Sequence, residues 1–324
     1  MKAIIVERYG MPDVLEIKDV EKPTPKDNEV LVKVHASSLN MFDWHLLTAD
    51  IFLVRLNAGL FKPKNRIPGA DVAGRVEAVG KNVTQFKAGD EVYGDLAASG
   101  CGSFAEYVAV PEKALALKPV NLTFEEAAAF PMAAVTALQG LRDAGKIQAG
   151  HKVLIQGASG GVGSFAVQIA KSFGAEVTAV CSTRNVEQVR ALGADHVIDY
   201  TKEDFTKNGK QYDVILAVNG YRKLEEYKGS LTPKGIYVMA GGATKQIFEA
   251  LLRGSFLSEK NGKKLGAFTA EPKQADLIYL KGLAEAGKIK PVIDKRYPLN
   301  ETAQALRYLG EGHARGKVVL NVTN

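Results

Sequence analysis

The chain has 324 residues, 46% of them hydrophobic, and carries 42 Lys and Arg against 36 Asp and Glu, a net charge of +6. That length and apolar content bury large cores and fit two domains. The basic excess is spread out: the densest cluster, residues 260–264, is short and broken by Asn261 and Gly262, which fits a solvated surface with a basic cofactor pocket and excludes a nucleic-acid groove.

From residue 1 to about 122 the pattern is strand-like, without a long helix. β-rich runs at 3–6, 30–34, 72–76 and 104–108 are punctuated by turns expected at Gly80, Gly89-Asp90 and Gly94. This predicts a compact β domain. Residues 46–64, LLTADIFLVRLNAGLFKPK, are apolar but show no strand period. Phe52, Leu53, Leu56, Leu60 and Phe61 serve either as ordinary core or as a flap over a substrate mouth.

Near Thr123 the texture changes. Thr123 followed by Glu125 and Glu126 reads as an N-cap with an acidic first turn, leading into an alanine-rich helix. Strands are then expected near 153–156, 176–181, 195–199, 213–218, 235–239 and 264–268, with helices between most of them. Alternation of this kind predicts a doubly wound parallel sheet. After Pro291 the sequence returns to strand, helix and strand, and this tail is expected to complete the first domain. The boundaries read as 1–122 with 270–324 for the substrate domain and 123–269 for the dinucleotide domain.

The most informative stretch is 152–171, KVLIQGASGGVGSFAVQIAK. Val153-Leu154-Ile155 reads as a buried parallel strand, and Phe165, Ala166, Ile169 and Ala170 fall at helical spacing. Between them stand Gly157, Gly160 and Gly163, a variant of the dinucleotide fingerprint. Glycines delivered by a strand into a helix N-terminus let a pyrophosphate approach free N–H groups at the positive end of the helix dipole. A tight turn that needs glycine for geometry alone is the competing reading.

In such folds the end of the second strand reads the adenosine ribose, and an acidic residue there selects NAD. Here the strand runs into Ser182-Thr183-Arg184-Asn185, without a carboxylate. Hydroxyls and a guanidinium suit a 2′-phosphate, so NADPH is the expected cofactor. Arg184 also fits a plain surface charge at a helix start, and Tyr200, after the third strand, fits either an adenine cover or simple packing.

Residues 150–171, with Leu154, Ala158-Ser159-Gly160-Gly161, Gly163, Gln168 and Lys171, resemble the signature of the zinc-independent quinone oxidoreductase and enone reductase branch of the medium-chain dehydrogenase/reductase superfamily. Pro68-Gly69-Ala70-Asp71-Val72-Ala73-Gly74, Gly89-Asp90-Glu91-Val92, Leu192-Gly193-Ala194-Asp195 and Gly312-His313-Ala314 with Gly316-Lys317 extend the resemblance over nearly the whole chain. It implies a GroES-like β domain beside an α/β Rossmann domain. It implies that Ser159, Gly160, Gly161, Val162 and Gly163 hold the pyrophosphate, that Ser182 and Arg184 take the 2′-phosphate, and that Tyr200 lies on the adenine side. Thr136, Asn219, Gly241 and Gly242 would lie toward the nicotinamide, and Asn40 and Asp43 match the family's nicotinamide-side motif. His45 stands where relatives often have Tyr or Lys, which leaves its proton-donor role in question beside an ordinary structural one. A homodimer or higher homo-oligomer, paired through edge strands of the nucleotide sheets, is also implied.

Zinc-dependent members of that superfamily hold their catalytic metal with Cys and His. Here Asn40 falls in the region of the first cysteine ligand, and Gly69-Ala70-Asp71 replaces the Gly-His-Glu that supplies the histidine. Cys101 stands alone, and the five histidines show no ligand spacing. No zinc or other metal site is therefore expected. Without a Lewis acid, oxidising a simple alcohol is hard, but adding hydride to a quinone or to the C=C bond of an α,β-unsaturated carbonyl is not, because the charge delocalises onto oxygen. The expected protein is an NADPH-dependent reductase of such small molecules. Two other readings are an enoyl-thioester reductase, whose pantetheine phosphate Lys62, Lys64 and Arg66 would greet, and a non-catalytic NADPH-binding sensor. Two cysteines cannot build a disulfide framework; Cys181, at the end of an apolar run, reads as core. Charges begin at Lys2, too early for a signal peptide, and no apolar run approaches membrane-spanning length, so a cytoplasmic protein without a membrane partner is expected.

Overall fold

The computed structural model describes residues 1–242 and 244–323, with the side chains of Phe52, Leu53, Asn57 and Thr244 outside the description. The chain forms two compact units, Met1–Ala133 with Pro272–Asn324, and Ala134–Glu271. In chain order the first part carries strands β1 (Lys2–Val6), β2 (Leu15–Asp19) and β3 (Glu29–Leu39), helices α1 (Met41–Thr48) and α2 (Phe52–Ala58), strands β4 (Asp71–Val79), β5 (Glu91–Asp95), β6 (Tyr107–Pro111) and β7 (Leu115–Leu117), then α3 (Phe124–Ala128) and α4 (Pro131–Gln139). The alternating part follows with β8 (Lys152–Gln156), α5 (Gly161–Ser172), β9 (Glu176–Cys181), α6 (Val186–Ala191), β10 (His196–Asp199), β11 (Tyr212–Ala217), α7 (Leu224–Gly229), β12 (Leu231–Met239), α8 (Thr244–Leu257) and β13 (Lys264–Ala267). The tail adds α9 (Gln274–Glu285), β14 (Ile293–Pro298), α10 (Thr302–Gly310) and β15 (Lys317–Asn321).

In the first unit the seven-stranded sheet runs β14-β15-β3-β4-β5-β7, with β6 paired to β3 off that path. The long strand β3 organises it, because its alternating Val30, Val32 and Val34 point into one core with Val72, Val76 and Val92. Strand β15 returns from the far end of the sequence and pairs antiparallel with β3, Val318 opposite Leu39. The same register logic continues across the sheet, with Ser38 opposite Asp71 and Asp71 opposite Asp95. One end of the sheet therefore collects residues from four separate strands.

The second unit is a six-stranded sheet in the order β10-β9-β8-β11-β12-β13, parallel throughout. That is the doubly wound order, with the first strand of the unit, β8, at the point where the order reverses. Leu154, Ile215, Phe205, Tyr227 and Tyr237 fill the core on one side.

Several local expectations change. Gly94 lies inside β5 and not at a turn: a Cβ there would stand 2.2 Å from the carbonyl oxygen of Ala114, so the glycine permits close strand approach. Around 104–108 the strand begins only at Tyr107, while Ala105 makes a single bridge to Ala3. The irregular 46–64 segment contains the end of α1 and all of α2, separated where Ala49 takes a left-handed conformation. Leu56, Leu60 and Phe61 there are exposed, and the side chains of Phe52 and Leu53 lie outside the described residues. Thr123 caps its helix as expected, its hydroxyl accepting from the Glu126 N–H. The alanine-rich helix is nonetheless two pieces, because Pro131 starts α4 and lacks the N–H that would continue α3. Among the described residues no helix is long and apolar enough to cross a membrane.

The helix that follows the glycine turn is anchored by Phe165, which is fully buried. Phe165→Ala should lower the stability of the protein by about 3–5 kcal/mol, read as a lower urea midpoint at an unchanged slope.

Candidate functional site

In the second unit β8 delivers the glycine turn and α5 leaves it. Gly157 has φ of +81°, a conformation that favours glycine. At Gly163 a Cβ would lie 2.1 Å from the Gly157 carbonyl oxygen, so helix and turn touch backbone to backbone. Gly161, Val162 and Gly163 form the first turn of α5, where N–H groups have no carbonyl four residues back. A side chain at position 157 or 163 would collide with neighbouring atoms, so these two glycines keep the turn close to the helix N-terminus.

The turn is stitched to the end of β9 by a residue that sequence reasoning gave no role. Asn185 is buried, and its Nδ2 donates to Ser159 Oγ at 2.9 Å and to Ser182 Oγ at 3.2 Å. Gln188 adds a bond from Nε2 to the Ser159 carbonyl at 3.2 Å. Ser182 therefore lies beside the glycine turn at the end of β9, and Arg184 lies exposed in the single turn Thr183–Asn185. The strand end lacks a carboxylate in sequence, yet the neighbouring strand brings one: Thr183 Oγ1 donates to Asp199 Oδ2 at 2.5 Å. Hydrogen bonds from Thr183 and Thr201 hold the Asp199 carboxyl down at about 2, so it is anionic at neutral pH.

A cavity of about 490 Å³ opens at the same end of this sheet, lined by Gly157, Val180, Tyr200, Asn219, Gly220 and Arg222. Tyr200, expected on the adenine side, and Asn219, expected toward the nicotinamide, thus line one cavity with Gly157. Arg222 was not foreseen; it pairs with Asp204 at 3.1 Å and lies over the Phe205 ring. Gly241 and Gly242 follow β12, one strand beyond β11, and Thr136 is half-buried on α4; these three do not line that cavity.

In the first unit the polar row at the end of the sheet is buried. Asp71, fully buried, accepts at Oδ2 from Ser38 Oγ (2.6 Å), Asn40 Nδ2 (2.9 Å) and Lys317 Nζ (3.2 Å), and at Oδ1 from the Met132 N–H (2.9 Å). Lys317, itself buried, also donates to Asn40 Oδ1 at 2.5 Å. Asn40 is the N-cap of α1, and its N–H donates to Asp43 Oδ2 at 2.8 Å. The second oxygen of Asp43, Oδ1, is buried without a hydrogen-bond partner. Burial, with the nearby charge of Asp71, pushes the Asp43 carboxyl up to about 7. Burial and Asp71 do the same to Asp95. Three carboxyl groups and one ammonium share this dry region, so at neutral pH it holds protons that exposed acids would have lost. Burial also raises the Cys101 thiol far above its usual range, which leaves it inert.

Asn40 and Asp43 are thus joined by the capping bond, and His45 stands apart from them in its partner: its Nδ1 lies 2.8 Å from Asp50 Oδ1. Asp71, Asp95 and Lys317 were not singled out as site residues. The only sequence signals were the motifs containing Asp71 and Lys317. Among the described residues no group of three or more His, Cys, Asp or Glu is disposed to hold a metal ion. Arg66 of the basic 62–66 segment is paired with Glu7 at 2.7 Å.

A doubly wound sheet with a glycine cradle, joined in one chain to a β-rich unit with a buried polar row, defines a dinucleotide-dependent oxidoreductase. Residues 26–120 match the alcohol dehydrogenase GroES-like domain, and residues 192–320 match the family described as zinc-binding dehydrogenase. The chain is 39% identical to a 2-methylene-furan-3-one reductase of Solanum lycopersicum, over 99% of this chain and 79% of that one. It is 37% identical to a chloroplastic NADPH-dependent alkenal/one oxidoreductase of Arabidopsis thaliana, with the same coverage. The quinone oxidoreductase from Coxiella burnetii superposes with a TM-score of 0.86 at 31% identity, covering 100% of this chain and 99% of that one. The chain belongs to the quinone oxidoreductase and enone reductase branch of the medium-chain dehydrogenase/reductase superfamily.

The raised carboxyl of Asp95 has a consequence for stability. The folded state keeps a proton that the unfolded chain loses near pH 4, so this group's contribution falls as pH rises from about 4 to about 7. Asp95→Asn keeps an acceptor for the Ala97 N–H but removes the charge. At pH 8 the variant should be more stable than the parent by roughly 1–3 kcal/mol, the gain shrinking toward pH 5, as measured by thermal unfolding across pH.

Proposed function

We propose that the chain is an NADPH-dependent reductase that works without zinc and transfers hydride to quinones or to the C=C bond of α,β-unsaturated carbonyl compounds. The observation that carries this reading is the backbone contact between Gly157 and Gly163, which leaves the α5 N-terminus open to a diphosphate, in a chain whose relatives include an NADPH-dependent alkenal/one oxidoreductase. Bound NADPH supplies the hydride. The first turn of α5 holds the diphosphate, and Ser182 and Arg184 take the 2′-phosphate; Thr183 does not, because its hydroxyl hydrogen is already given to Asp199.

The substrate needs a donor for the oxygen that becomes negative and a proton to finish the reaction. Asn40 presents the donor, since its amide has a second N–H beyond the one bonded to Asp71. Asp43 can hold a proton at Oδ1 near neutral pH, and His45 is oriented through Nδ1 by Asp50, which leaves its other ring nitrogen for proton transfer. We infer as well, from the resemblance, a homodimer or higher homo-oligomer paired through an edge strand of the six-stranded sheet, β10 or β13.

The test is loss of NADPH absorbance with a panel of quinones, alkenals, alkenones and one enoyl-thioester. Turnover of at least one quinone or enone is expected, and Arg184→Leu should raise the KM for NADPH about tenfold while leaving that for NADH nearly unchanged. Turnover of the thioester alone would favour an enoyl-thioester reductase. Tight NADPH binding with no oxidation on any member would favour a sensor.

A further inference from the structure

The amide of Asn40 is held at both ends. Its oxygen accepts from Lys317 Nζ, its nitrogen donates to Asp71 Oδ2, and Lys317 and Asp71 are themselves an ion pair with both side chains buried. The three groups close a triangle in which each touches the other two. An asparagine amide is otherwise free to flip, exchanging its donor and acceptor ends, because the two orientations have nearly the same shape. Here the flip is forbidden electrostatically: turned over, the NH₂ group would face an ammonium and the oxygen would face a carboxylate. Ser38 Oγ and the Met132 N–H complete the coordination of Asp71, which fixes the carboxylate in turn.

We propose that Lys317 is a positioning residue of the reaction, locking the Asn40 amide so that its second N–H keeps one direction. The inference deepens the reading of Asn40 as the donor to the substrate oxygen and rests on that reading for its catalytic meaning. Lys317 itself is 3% exposed, with its ammonium spent on Asn40 and Asp71, so it acts through Asn40 and not on the substrate. The strand register explains how a residue 277 positions away reaches this place: Val318 faces Leu39 across β15 and β3, and the next pair outward brings Lys317 to Asn40. An arrangement that served stability alone would need only the Lys317–Asp71 pair. The additional bond to the Asn40 oxygen is what assigns the lysine to the amide.

The test has one arm that needs no turnover. Side-chain amide hydrogen exchange of Asn40, followed by NMR in the full chain, should be slow in the parent and faster in Lys317→Met by at least tenfold beyond the acceleration shared by the backbone amides of β3 and β15. If Lys317→Met does not fold, the variant Asp71→Asn with Lys317→Gln leaves no unpaired buried charge and takes its place. In the second arm, kcat on the best substrate of the panel should fall at least tenfold in Lys317→Met, with a smaller change in the KM for NADPH. The double variant Asn40→Ala with Lys317→Met should be no slower than Asn40→Ala alone. Asn40 exchange that ignores position 317, or kcat losses that multiply in the double variant, would overturn the proposal. A parent chain that turns over no quinone or enone sinks the proposed function, while the exchange arm still decides whether Lys317 locks Asn40.

Discussion

A buried ion pair between Lys317 and Asp71 is the constraint on which the first unit depends. Taking both charges out of water is expensive, and the pair is supported by further bonds: Asp71 accepts four hydrogen bonds and Lys317 donates to Asn40 as well. Removing one partner of such a pair costs about 3–5 kcal/mol, because the other charge is stranded. The pair also ties the last strand to the third and fourth, so the returning tail is held by charge as well as by its apolar face. Val318 and Leu320 supply that face, packed with Leu39 and Phe104.

The same row is over-supplied with acid. Lys317 neutralises one carboxylate, and burial together with the charge of Asp71 pushes the neighbouring Asp43 and Asp95 up to about 7. A region that keeps protons at pH 7 is useful where a delocalised anion must be quenched, and costly to stability as the pH rises. The second unit solves a different problem by simpler means. Among its described residues no buried cation stands at the glycine turn; backbone N–H groups and a helix N-terminus supply the positive field, and Asn185 and Gln188, after β9, brace Ser159 on the turn.

How much of this was legible in the sequence follows from how local each feature is. The glycine turn, its strand and its helix lie within twenty residues, and all were readable because the hydrophobic period switches there from strand to helix. The six parallel strands announced themselves in the same way. Asp71, Asp95 and Lys317 did not, because what unites them is register across β15, β3, β4 and β5, and a one-residue slip at any pairing would scatter them. Asp199 escaped notice beside Thr183 for the same reason: it arrives on a neighbouring parallel strand, sixteen positions on. Gly94 misled in the opposite direction, since a glycine that ends a strand and one that admits a neighbouring backbone look alike in a single sequence. The divided helix after Thr123 turned on Pro131 alone.

The central claim is that a reduced nicotinamide reduces an electron-poor acceptor here without the help of a Lewis acid. The most direct measurement uses chelator-treated protein, shown metal-free by elemental analysis, with NADPH carrying deuterium at C4 and an alkenone as acceptor. The account predicts the same rate as untreated protein given the same deuterated NADPH, and deuterium on the β-carbon of the product. A rate that vanishes on chelation and returns with added zinc would contradict it.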